Sequence, residues 1–167
     1  MDLNALADIN FDDALKEAIQ CDKETKNKKS RGPLHGIPIS IKDELHVAGT
    51  VTTLGLAARS DNIILEDGLI VENLRRHGAI PFVKSNVPPL LMLYETENII
   101  FGVTKNPLDI KRTPGGSSGG EAALIASRCS PAGIGSDIGG SIRIPCAFCG
   151  LYGFKPSSIR TTYKGTE

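Results

Sequence analysis

Apolar residues near the N-terminus (Leu3, Leu6, Ala7, Ile9, Leu15, Ala18 and Ile19) recur close to helical spacing, which predicts one or two short helices with Asn10 and Asp12 as interruptions or caps. The run KETKNKKSR, from Lys23 to Arg31, holds five basic residues and one acid without aromatics and reads as a solvated loop. In GPLHGIPISIKD, Ile37, Ile39 and Ile41 alternate with Pro38, Ser40 and Lys42, so a strand is predicted with Lys42 on the face opposite the isoleucines. Asp67 is placed to cap a helix reaching His77, with Ile70, Val71 and Leu74 inward and Gly78 as its stop. A strand over Ala79 to Lys84 follows. Strand, helix and strand in that order predict an α/β layered fold with partly parallel pairing.

Further along, the pattern changes. Ten of the 18 glycines and six serines fall between Thr113 and Gly153, a density that brings backbone close to something rather than merely turning it. Glu121 to Ser127 is a short helix candidate, and Ala132 to Ser136 a short strand. No internal repeat or low-complexity tract interrupts the chain.

Composition adds exclusions. The 167 residues balance 19 Lys and Arg against 19 Asp and Glu, with 40% hydrophobic residues, the proportions of a globular protein and no basis for binding nucleic acid. Four cysteines (Cys21, Cys129, Cys146 and Cys149) are too few and too unevenly placed for a disulfide framework, so the expected location is the reducing cytoplasm. The acidic N-terminus resembles neither a secretory leader nor a transit peptide. The longest apolar stretch, Val87 to Tyr94, contains two prolines and falls far short of the roughly 18 residues a membrane helix requires.

Two Gly/Ser clusters, GGSSGG (115–120) and DIGGSIR (137–143), are the candidate chemistry. A phosphate-binding loop is disfavoured because Glu121, not lysine, follows Gly120. Gly115, Ser117 and Gly119 match a GxSxG elbow, yet His35, His46 and His77 all lie upstream, where no elbow has its base. A serine without histidine needs another base, and a buried lysine with a lowered pKa can serve. Lys42, at the end of its strand, is the candidate. Cys146 and Cys149 form a lone CxxC without a second ligand pair, so they read as small buried hydrophobes and no metal site is expected.

Taken together and in order, GPLHGIPISIKD, GGSSGGE and DIGGSIRIP resemble the amidase signature family of serine hydrolases. The segments TLGLAAR, GAIPFVKSNVP, NIIFGVTKNP and CAFCGLYGFKP are most similar to its fatty acid amide hydrolase branch. The likeness covers about Gly32 to Tyr163. It implies an α/β/α sandwich around a mixed β-sheet, of which this chain would hold an incomplete, N-terminal portion (32–167) behind a helical segment and charged loop (1–31).

The same resemblance implies site residues. Ser141 would be the acylated nucleophile, Ser117 the bridging serine held by a cis peptide, and Lys42 the base. The N–H groups of Ile138, Gly139, Gly140 and Ser141 would face the tetrahedral oxyanion, with glycine keeping that approach open. Ser118, Asp137 and Arg143 would fix loop geometry. Leu91 and Met92 match positions lining the acyl pocket of the lipid-amide branch, with core packing the alternative. The substrate expected is a small-molecule or lipid amide, with no metal or organic cofactor. A glutamine amidase of the amidotransferase type and an inactive remnant are the competing readings. Peripheral membrane contact and pairing with another chain, or with a missing C-terminal part, stay open.

Overall fold

In a computed structural model describing residues 2–167, the centre is a four-stranded sheet in the order β1-β3-β2-β6. Its strands are β1 (Leu6–Ile9), β2 (Pro38–Lys42), β3 (Ile80–Ser85) and β6 (Gly133–Ile134). β2 runs parallel to both β3 and β6, whereas β1 is antiparallel to β3, so the sheet is mixed. A separate two-stranded ribbon joins β4 (Glu97–Asn98) to β5 (Gly102–Val103). The helices are α1 (Phe11–Lys26), α2 (Leu69–Arg76), α3 (Gly119–Ala126) and α4 (Arg143–Cys149).

Strand alternation decides which helix covers which face. Ile39 and Ile41 of β2 pack with Val71 of α2, Leu45, Val47 and Ala79, and the partly buried Ile70 and Leu74 join them. Ser40 and Lys42 point the other way, toward α3. α1 lies beside α2, joined by the Arg75–Glu17 ion pair, and buries Ala14 and Cys21 against Ile80. Helices therefore cover both faces of the sheet, in agreement with the α/β layering expected from the sequence. All four strand residues from Ile39 to Lys42 are buried, as a central parallel strand requires.

Three local expectations change. Leu6–Ile9 is not helical: it pairs with β3 through Leu6↔Ser85, Asp8↔Lys84 and Ile9↔Val83, so the first 31 residues contribute an edge strand to the sheet. Available β3 backbone outweighs the helical spacing of so short a segment. α1 then begins after Asn10, with Asp12 and Asp13 in its first turn and Lys23 and Lys26 in its last, charges that suit the helix dipole. It extends into the predicted charged loop as far as Lys26. Finally, Asp67 does not cap α2. Its Oδ1 accepts the Ala48 N–H at 2.8 Å and its Oδ2 accepts Arg75 Nε at 2.8 Å, while Gly68 takes the cap position.

Candidate active site

Lys42 ends β2 and is fully buried. Its Nζ lies 2.8 Å from Ser117 Oγ, 2.8 Å from Ser136 Oγ and 3.7 Å from Glu44 Oε1. Burial holds the ammonium below the ordinary lysine pKa, with Glu44, Glu121 and Asp137 acting against that shift. The amine is enclosed and aimed at two hydroxyls, with the Glu44 carboxylate beside it.

Ser117 is also buried, just before α3, and the Gly116–Ser117 peptide is cis. Thr96 fixes this loop at both ends: its Oγ1 accepts the Gly119 N–H at 3.1 Å and donates to the Gly115 carbonyl at 2.9 Å. Ser118 links the two clusters, its N–H donating to the Ser141 carbonyl at 3.1 Å and its hydroxyl to the Ser136 carbonyl at 3.3 Å. Ser141 is thus attached to the loop bearing Ser117. Among the described residues, however, no hydrogen bond joins the Ser117 and Ser141 hydroxyls directly.

Asp137 organises the second cluster. Its carboxylate accepts the N–H groups of Gly140 (2.8 Å), Ile142 (3.1 Å) and Arg143 (3.2 Å), and the Arg143 guanidinium grips both its oxygens at 2.8 and 2.9 Å. Those contacts, the guanidinium first, hold the Asp137 carboxyl well below the usual carboxylate range. The loop-fixing role expected for Ser118, Asp137 and Arg143 is what the geometry shows. One expectation is corrected: the Gly140 N–H is committed to Asp137 and is not free for an oxyanion. The Ile138, Gly139 and Ser141 N–H groups make no hydrogen bond among the described residues. Gly140 itself takes φ +129°, and a Cβ there would lie 2.7 Å from Ile144 Cδ1.

Apolar surface borders these loops. Met92 is 78% exposed and Ile138 92% exposed, while Leu91 is half-buried. The Tyr94 hydroxyl would lie 3.7 Å from a Cβ on Gly139, which places the 90–94 segment beside the second cluster.

Three polar residues at the site escaped the sequence reading. Ser136 is the second hydroxyl on Lys42, and Glu121 and Ser40 form a buried hydrogen bond of 2.6 Å behind it. The signal the sequence carries for Glu121 is a lone carboxylate inside the apolar EAALIAS segment.

Among the described residues, Cys21, Glu24 and His35 bring potential metal ligands within 4.8 Å of one another. The Glu24 carboxylate and the His35 ring nitrogens already have partners. Arg31 donates Nε and Nη2 to Glu24 and its backbone N–H to His35 Nδ1, and His35 Nε2 lies 3.1 Å from Thr25 Oγ1. Cys149 is buried, with its thiol pushed up to about 11, and Cys146 is half-buried, which suits the packing role.

The Amidase family model matches residues 1–167. "Amidase 2" of Gibberella moniliformis is 46% identical over 165 residues, covering 98% of this chain and 32% of that protein. "Vitamin D3 hydroxylase-associated protein" of Gallus gallus is 47% identical over 157 residues, covering 94% and 33%. Among solved structures, a fatty acid amide hydrolase superposes with a TM-score of 0.94 at 36% identity, covering 99% of this chain and 29% of that one. The peptide amidase of Stenotrophomonas maltophilia superposes with a TM-score of 0.90 at 34% identity, covering 98% and 34%. The chain belongs to the amidase family, the family its three motifs resemble. It spans about a third of the length of these relatives.

Proposed function

We propose that this chain carries the catalytic residues of an amide hydrolase that works through an acyl-enzyme, with Ser141 as nucleophile, Ser117 as proton bridge and Lys42 as base. The observation that carries the reading is the enclosed Lys42 amine 2.8 Å from Ser117 Oγ, on a loop hydrogen-bonded to the Ser141 backbone. Ser141 Oγ attacks the amide carbon while its proton passes to Ser117 Oγ, and the Ser117 proton passes to Lys42 Nζ. The tetrahedral oxyanion is received by N–H groups of Ile138, Gly139 and Ser141. Losing one such donor costs roughly 3 to 4 kcal/mol of transition-state stabilisation. The relay then runs backward and protonates the departing nitrogen as the C–N bond breaks. Water attacks the acyl ester, its proton takes the same route, and the acid leaves with Ser141 restored.

Fatty acid amides are the proposed substrate class. The exposed apolar side chains of Met92 and Ile138, with Leu91 and Tyr94, offer an acyl chain a wall beside the nucleophile loop, and the relative with the 0.94 superposition is a fatty acid amide hydrolase. A substrate of that kind fits a cytoplasmic protein working at a membrane surface, although no helix among the described residues is long and apolar enough to cross a bilayer. Turnover of oleamide, acetamide and glutamine by the same preparation tests the assignment. A preference for oleamide is expected; a preference for glutamine would overturn the lipid class, and turnover of none would overturn amide hydrolysis by this chain.

A further inference from the structure

Glu121 is a fully enclosed carboxyl. Its Oε2 accepts the Ser40 hydroxyl at 2.6 Å, and the Ser85 hydroxyl of β3 lies beside the carboxyl without completing a well-formed hydrogen bond to Oε1. Burying such a group costs more than burying an apolar side chain of similar size, so packing alone does not account for it. Its placement does. Glu121 lies in the first turn of α3, four residues after Ser117. Ser40 precedes Lys42 by two positions on β2 and so shares its face. The carboxyl therefore spans the two elements that carry the Lys42–Ser117 contact. β6 leaves room for it: a Cβ on Gly133 would collide with Glu121 Oε2 and lie 2.7 Å from Ser40 Oγ.

We propose that Glu121 is a positioning residue, braced through Ser40 on β2, that holds Lys42 against Ser117. The inference rests on the relay proposed above and adds a member to it that need not touch substrate. It has an electrostatic side as well. Lys42 faces Glu44, Glu121 and Asp137, and Glu121 faces Lys42. Of the other elements packed on α3, β3 directs Lys84 to Thr52, α4 commits Arg143 to Asp137, and β6 brings no ionisable side chain. Burial pushes the Glu121 carboxyl up to about 7. When Glu121 is ionised it stabilises the Lys42 ammonium; when it holds a proton it favours the free amine.

Two readouts on this chain test the proposal: fluorophosphonate labelling of Ser141, and titration of Lys42 followed by NMR at its ε-carbon. Glu121→Ala removes the brace and is expected to slow labelling about 100-fold, the scale of a misplacement near 1 Å. Glu121→Gln can keep the bond to Ser40, so it should recover most of that loss while Lys42 titrates at lower pH than in the wild type. Wild-type labelling in Glu121→Ala, or an unmoved Lys42 titration in Glu121→Gln, would overturn the assignment. Should the wild type itself fail to label, the hydrolase reading falls instead, and the Lys42 titration still decides whether Glu121 acts on the lysine.

Discussion

Lys42 and Lys84 are both fully buried on neighbouring strands, yet their surroundings give them different work. Lys42 meets two serine hydroxyls at a loop. Lys84 Nζ lies 2.9 Å from Thr52 Oγ1 and 3.3 Å from the Val51 carbonyl. Burial lowers its pKa to about 8, against the opposing pull of Asp43, Asp8 and Glu44. Between that value and the unfolded lysine value of roughly 10.4, the unfolded chain binds a proton that the folded chain does not, so stability rises with pH. Relative to Lys84→Met, the wild type should gain about 1.4 kcal/mol per pH unit across roughly pH 8 to 10. Denaturant titration of both proteins checks this, and a gap that stays constant with pH would contradict it. At this scale the sequence exposed Lys42, Ser117 and Ser141 because each lies in a motif with its own spacing. Ser136 and Glu121 were hidden because a lone hydroxyl or carboxyl gains a role only when β2, α3 and β6 meet around it.

Elements with a full period of their own were readable: β2 by alternation, α2 by its Ile70, Val71 and Leu74 side, and β3 by its apolar run. β1 was not, since four residues satisfy either period and only pairing with β3 settles them. β6 is two residues long and exists because β2 offers it a partner at Ser40↔Gly133 and Ile41↔Ile134. That pairing predicts the effect of Gly133→Ala. The added methyl meets the Glu121 carboxyl and Ser40 Oγ, and overpacking of this kind costs about 1 to 3 kcal/mol. Because the collision is with Glu121, adding Glu121→Ala should relieve part of that cost, giving non-additive stabilities in a double-mutant cycle. Strict additivity would show that β6 does not close on the carboxyl as described.

Across the whole molecule, the site is assembled by contacts distant in sequence. Lys42 and Ser117 are 75 residues apart and Lys42 and Ser136 are 94 apart, and the sheet is the frame that brings them together. No local pattern could state those distances. The structure sets the Lys42 amine against Ser117 Oγ and leaves the Ser117 and Ser141 hydroxyls joined only through their loops. Labelling the folded chain with a fluorophosphonate and locating the adduct by peptide mass spectrometry is therefore the most direct test of the central claim. Adduct on Ser141 is predicted, with Lys42→Ala suppressing it more severely near neutral pH than at high pH, where hydroxide can replace a lost base. Absence of adduct on Ser141, or equal loss at both pH values, would contradict the account.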